Sequence, residues 1–312
     1  MSQDGFVVVI RAAGERTFEA CRHFLLREVP LDLLHVVQER PLEAALRKCY
    51  RIGMESGAEW MVTVDADVLA RAGGVAALLE VARGLPERYV KVEGLVHDKL
   101  RGGYREGGPY VYRVKHLPMA LPAVPDAGTQ IRPEFSTLQR LSSLGYPSFK
   151  CSEVLGIHDY EQFYRDLYRK AFVHGQKHSH WLAEVLPRWR QLADSDADFS
   201  VAMRGYCDGF QTSAVAPIDV RAYGDRAMRA LTELGLEEKP GLETNPASMS
   251  AIEAIQDRVL ETPRETNQDS IAVRVAKTYR KLGGLRLGMF VVGSLLNRVG
   301  DRFRRAAKRP GS

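Results

Sequence analysis

Asp65 and Asp67 stand two residues apart, directly after the apolar run Trp60-Met61-Val62-Thr63-Val64. Carboxylate oxygens are the natural ligands of hard divalent cations such as Mg²⁺ and Mn²⁺, which keep open positions for phosphate oxygens. A cation held there would act as a Lewis acid on a departing diphosphate. The same residues also suit a solvated turn in which Asp67 opens a helix, and a two-carboxylate motif is too short to decide between these readings. Its placement in the chain decides.

The elements that place it can be read from pattern. Phe6 to Ile10 is an unbroken apolar run rich in β-branched residues, as expected of a strand buried on both faces of a parallel sheet. Thr17 can cap a helix carrying Phe18, Cys21, Phe24 and Leu25; Leu33 to Val37 follows as a strand. A helix from Pro41 turns Ala45, Cys49 and Ile52 inward and stops at Gly57. Trp60 to Val64 is then the third strand of a right-handed βαβαβ unit, and ligands of such sheets sit beyond the carboxyl ends of the strands. Asp65 and Asp67 fall at that edge. Further on, the spacing predicts a helix over 73–83, strands over 89–96 and 110–115, and a Gly-rich hairpin-like loop over 101–108. From Asp159, the positions Tyr160, Phe163, Tyr164, Leu167, Tyr168, Ala171 and Phe172 define an amphipathic helix, with Glu161–Arg165 and Asp166–Lys170 paired on its outer face. Ser250-Ala251-Ile252-Glu253 has capping-box spacing for a last helix after a Glu-, Gly- and Pro-rich linker over 237–246.

Two segments together carry a family resemblance. Val8-Val9-Ile10-Arg11-Ala12-Ala13-Gly14-Glu15-Arg16-Thr17 resembles the first strand and nucleotide loop of GT-A glycosyltransferases similar to family 2, and Glu59 to Val68 resembles their D-x-D strand. The resemblance covers residues 6 to 175. It implies an α/β fold, with a GT-A (Rossmann-like) mostly parallel sheet and flanking helices, to which the chain adds a C-terminal helical appendage. It further implies that Arg11, Glu15, Arg16, Gln38, Glu39 and Asp65 lie around a nucleotide, that Asp65 and Asp67 hold Mn²⁺ or Mg²⁺, and that a nucleotide-sugar donor is the substrate.

The chain departs from the family where many inverting members carry a Glu-Asp pair at a helix start; here the place reads Gly156-Ile157-His158-Asp159. By the same resemblance Asp159 is the candidate catalytic base and His158 a third metal ligand. Both could instead serve the helix start, Asp159 through the dipole and His158 as a cap. Glu134 and Asp126 are weaker base candidates; His174, His178 and His180 are rival ligands. Asp194, Asp196 and Asp198 do not form a calcium loop, because Phe199 and Gly205 stand where Gly and Glu are required.

Charge is unevenly distributed. Residues 271–312 carry eleven Lys or Arg against Asp301 alone, a net +10, so that the chain's total of +5 leaves residues 1–270 at −5. The distribution argues for an anionic partner of the tail and not for a nucleic-acid-binding body. Within the tail, Leu285 to Leu296 is too short for the roughly 20 residues that span a bilayer, but its basic flanks suit an interfacial helix on an anionic membrane surface. A helix packed on a partner is the alternative. The expected organisation is a transferase domain over 1–235, a linker and helix over 236–270 and a basic amphipathic tail over 271–312.

Cys21, Cys49, Cys151 and Cys207 show no metal-site spacing, and the start of the chain shows no signal-peptide pattern. These features give the expectation of reduced core thiols and of a cytoplasmic enzyme, peripheral on the inner face of a membrane, that glycosylates a glycan or lipid-linked acceptor. Two other readings remain at this stage: a membrane adaptor that has lost catalysis, and a sugar-phosphate nucleotidyltransferase, for which Ala12-Ala13-Gly14 is poor in glycine.

Overall fold

A computed structural model describes residues 5–130, 132–177, 182–212 and 220–260. The basic tail, His178 and His180 lie outside the described residues.

Seven strands form one mixed sheet: β1 (Phe6–Arg11), β2 (Leu34–Val37), β3 (Trp60–Asp65), β4 (Val68–Ala70), β5 (Lys91–Asp98), β6 (Gly103–Arg113) and β7 (Ser148–His158), in the order β2-β1-β3-β6-β5-β7-β4. Strands β1, β2 and β3 are mutually parallel, as are β5 and β7, while β6 and β4 run antiparallel to their neighbours. Ten α-helices accompany them among the described residues: α1 (Phe18–Leu25), α2 (Leu42–Glu55), α3 (Gly74–Arg83), α4 (Leu117–Ala123), α5 (Pro133–Ser143), α6 (Tyr164–Lys177), α7 (Leu182–Leu192), α8 (Ala197–Gln211), α9 (Gly224–Glu233) and α10 (Pro246–Leu260). The architecture is α/β and Rossmann-like.

Strand alternation sorts the core into two layers. Val8, Ile10, Val62 and Val64 face one side, where Phe24 of α1, Leu78 of α3 and Ile252 of α10 cover them. Val7, Val9 and Met61 face the other, under Leu46 of α2, Leu117 of α4 and Leu141 of α5. Helices α1 and α2 thus leave β1 and β2 on opposite faces, and the carboxyl ends of β1 and β3 lie at the edge where ligands enter such sheets. A third apolar cluster, built on Leu167, Phe172, Trp189, Tyr206 and Leu231, ties α6, α7, α8 and α9 together.

The βαβαβ start forms as its pattern predicts. Several later elements differ. After Asp67 the chain makes the short strand β4, not a helix, because Val68–Ala70 pairs with Gly156–His158 of β7. The Gly-rich stretch over 101–108 turns tightly and then becomes the first half of β6, paired with the end of β5. The helix expected from Asp159 opens at Tyr164, since Asp159 and Glu161 have left-handed φ of 64° and 58°. Its expected outer ion pairs are also replaced: Glu161 accepts from Arg16 at 2.7 Å, and Lys170 points inward. Thr17 precedes α1 without capping it; its hydroxyl donates to Ala66 O at 2.7 Å, pinning the loop between the two aspartates. The capping-box residues Ser250 to Glu253 lie inside α10, which starts earlier, where Asn245 Oδ1 accepts from Ser248 N. All four cysteines are free; Cys21 and Cys49 are buried, but Cys207 is exposed.

Candidate functional site

The carboxyl ends of the strands bring two charged clusters to one edge of the sheet. The first is built on Arg11, the last residue of β1, whose Cα partner across the ladder is Asp65, the last residue of β3. Arg11 Nε donates to Asp65 Oδ1 at 2.7 Å, and its Nη1 reaches both oxygens of Glu134 at 3.1 Å. Glu134 sits in the first turn of α5 and also accepts from the Tyr112 hydroxyl of β6. Burial opposes charge on Glu134, but Arg11, Lys91 and the Tyr112 hydroxyl outweigh it and hold its carboxyl below the usual range. Asp65 behaves oppositely: burial, only partly offset by Arg11, raises its carboxyl pKa. Asp65 is half-buried, one oxygen held by Arg11, with 35% of its side chain still open to solvent.

The second cluster gathers the ends of β5 and β7 around Asp67. In register, Asp98, His158 and Val68 stand side by side across β5, β7 and β4. His158 Nδ1 lies 3.0 Å from Asp98 Oδ2 and 3.1 Å from Asp159 Oδ2, and its Nε2 lies 3.6 Å from Asp67 Oδ1. Lys170 of α6 places its ammonium between Asp67 Oδ2, at 2.5 Å, and Asp159 Oδ1. Arg105 of β6 pairs with Asp98 and faces the His158 ring. Burial disfavours the His158 cation, but Asp159 and Asp67 overcome it and push its pKa up to about 10. Burial likewise opposes the charges on Asp67, Asp159 and Lys170; mutual attraction wins, lowering both carboxyls and raising the ammonium.

Metal chemistry can be tested on this geometry. Asp67, His158 and Asp159 each offer a ligand atom within 4.8 Å of the others, and among the described residues they are the one such group. Asp67 Oδ1 is buried and receives no hydrogen bond. Buried polar atoms are normally hydrogen-bonded, so a carboxylate oxygen that faces an imidazole at 3.6 Å without a hydrogen bond, with a second carboxylate beside it, fits a divalent cation. Asp65 is not in this group: it faces Arg11 while Asp67 faces His158.

The structure therefore joins Asp67, His158 and Asp159 in one cluster and Arg11, Asp65 and Glu134 in another. Glu15 lies near both loops; its carboxylate accepts from Ala13 N at 2.6 Å, and burial followed by Asp67 raises its pKa. Arg16 is engaged by Glu161 and by Pro240 O. Gln38 and Glu39, just past β2, line a cavity of about 490 Å³ with Phe18 and Val36. Asp126 is exposed on the far side of α2, 3.9 Å from Arg47, and His174 stands on α6 outside the metal-ligand group. Sequence reasoning missed Asp98, Arg105 and Lys170. Asp98 could have been found as an acid ending a strand at the same edge; Lys170 could not, because helical spacing assigns it to the outer face.

No family model and no curated protein sequence matches the chain. Solved structures similar to it include the mannosyltransferase PcManGT from Pyrobaculum calidifontis in complex with GDP-Man and Mn²⁺, at 12% identity, 89% of this chain, 87% of that chain and a TM-score of 0.37. A glycosyltransferase involved in glycosylation of the major capsid of PBCV-1 matches at 11% identity, covering 47% of this chain and 81% of that one, with a TM-score of 0.34. CMP:2-keto-3-deoxy-manno-octonic acid synthetase complexed with CTP matches at 14% identity, 49% and 92% coverage and a TM-score of 0.33. Likeness at this level assigns no residue a role.

Proposed function

We propose that this protein is a metal-dependent glycosyltransferase that moves a sugar from a nucleotide-sugar donor to a glycan or lipid-linked acceptor. The observation that carries the reading is Asp67 Oδ1, two residues past the end of β3, which faces His158 at 3.6 Å without a hydrogen bond and lies within ligand range of Asp159. Asp67, His158 and Asp159 would hold Mn²⁺ or Mg²⁺, and the half-buried carboxylate of Asp65 would face the donor ribose. The cation, when bound, supplies Lewis-acid stabilisation of the leaving diphosphate. Gln38 and Glu39 line a cavity of suitable place for the base, while Arg11, anchored by Glu134, fixes Asp65; Glu15 and Arg16 border the same edge. Both Glu134 oxygens are committed to Arg11 and Tyr112, and those of Asp159 face Lys170 and His158; Asp159 is the base candidate of this reading because it stands in the Asp67 cluster, and it can accept a proton only when one of those partners releases an oxygen.

The same reading puts the transferase domain in 1–235, with 236–270 as linker and helix, and places 271–312 on an anionic membrane surface at the cytoplasmic face. Among the described residues no helix is long and apolar enough to cross a membrane. Glu238 of the linker accepts from the Tyr164 and Arg165 amides and so caps α6. A thermal-shift panel of nucleotide sugars with Mn²⁺ tests the core of the proposal, because a ligand of the native state raises apparent stability. One donor class should stabilise the wild type and not the Asp65→Ala, Asp67→Ala double variant. Absence of stabilisation by every nucleotide sugar would refute it.

A further inference from the structure

Lys170 is the cation that sits directly on the candidate metal ligands, where a pure ligand set would contain none. Its ammonium bridges Asp67 and Asp159, two of the three candidate ligands, from α6. Resting on the metal-dependent reading above, we propose that Lys170 is a tethered counter-cation: it holds the site closed without a divalent ion and competes with that ion for the two carboxylates.

Three observations support this. First, the carboxylates already have cations against them: Lys170 bridges Asp67 and Asp159, and Arg105 pairs with Asp98. A divalent ion added beside the ammonium would meet like charge at contact distance in a buried site, where repulsion is poorly screened. Occupancy by the ion therefore requires Lys170 to withdraw. Second, Lys170 satisfies the site incompletely: it reaches Oδ2 of Asp67 and leaves Oδ1 without a hydrogen bond. A cation coordinated by Asp67 and His158 would use that oxygen. Third, the residue type permits the exchange. Lysine carries a compact charge on a flexible four-carbon stem, whereas arginine would hold both carboxylates in a fixed fork. A site whose competent state is only fractionally populated shows a proportionally weakened affinity, which makes Lys170 a control on how much metal the protein needs.

The test is Mn²⁺ uptake by the full chain without nucleotide, followed by electron paramagnetic resonance of the free ion. Lys170→Met and Lys170→Gln should bind Mn²⁺ about tenfold tighter than wild type, and adding Asp67→Asn to either should remove the gain. Because these variants leave buried carboxylates unpaired, a second measurement uses the wild type. Amine-specific labelling read by peptide mass spectrometry should find Lys170 protected without metal and several-fold more reactive when Mn²⁺ saturates the protein. Unchanged labelling of Lys170 in Mn²⁺-saturated wild type overturns the proposal. So does uptake by neither the wild type nor either variant at millimolar Mn²⁺, or uptake no tighter in folded variants. A tighter Lys170→Met with no response to any nucleotide sugar would instead leave the cation exchange standing and sink the transferase reading.

Discussion

Arg11 and Asp65 are Cα partners at the last rung of the β1–β3 ladder, and the guanidinium of one is hydrogen-bonded to the carboxylate of the other at 2.7 Å. The relationship makes the D-x-D segment part of the sheet and not a free turn. Arg11 also holds Glu134 of α5, so a single buried cation spans the parallel half of the sheet and the helix that closes it.

Removing that cation should therefore cost more than a surface ion pair. Arg11→Met leaves Glu134 buried without its charged partner, a change worth roughly 3 kcal/mol or more. For a body of this size that lowers the melting temperature by about 6 to 12 °C. Calorimetry checks the figure; a loss under 2 °C would show that the pair contributes little.

Glu134 predicts a pH dependence whose sign is fixed. Its folded-state carboxyl is held below the ordinary value, with burial opposing and Arg11 and Lys91 prevailing. Stability from this group is fully present above the unfolded-chain pKa of about 4.3 and is lost as pH falls through the lower folded value. Glu134→Gln should melt lower than wild type at pH 7, and the gap should narrow below pH 4. Melting curves from pH 3 to 7 decide it: a gap constant across that range contradicts the linkage.

Thr17 makes the aspartate loop rigid. Its hydroxyl donates to Ala66 O and accepts from Gln162 Nε2 at 2.8 Å, all buried. Thr17→Val keeps the shape but strands both partners, costing about 1 to 3 kcal/mol. If the loop positions a metal, Mn²⁺ affinity should fall with it; Thr17→Ser should restore most of both, measured by calorimetric titration and melting.

How much of this was legible in the sequence depended on range. The β1 to β3 start is readable because β1 and β3 are buried on both faces and show as apolar runs, such as Phe6 to Ile10, with the less buried β2 between two helical patterns. The pair His158 and Asp159 was also placed near Asp67, through a resemblance and not through pattern. What failed was what only tertiary pairing decides. β4 is three residues long and exists because Leu69 lies opposite Ile157, a partner almost ninety positions away. The i, i+4 relation to Asp166 puts Lys170 on the solvent face, yet two buried carboxylates from outside the helix outweigh that local pair. Helical spacing makes Asp159 a helix start, but its left-handed φ of 64° puts it in a turn ahead of the helix.

The position of Lys170 is set from behind by the contact of α6 with α8. A Cβ on Gly209 would stand 2.0 Å from Phe172 O, and one on Gly205 would stand 2.4 Å from Tyr168 O, both backbone atoms of α6. Helices that approach this closely do so only through glycine, and their cores transmit displacement because they are densely packed. Gly209→Ala should therefore push α6 away and carry Lys170 with it, destabilising the fold by about 1 to 3 kcal/mol through overpacking. Gly224→Ala is the control, since a Cβ there meets nothing within 4 Å and alanine favours the helix it opens. Its melting temperature should stay level or rise. Equal losses in the two variants would mean that the α6–α8 approach is not what holds Lys170 over Asp67.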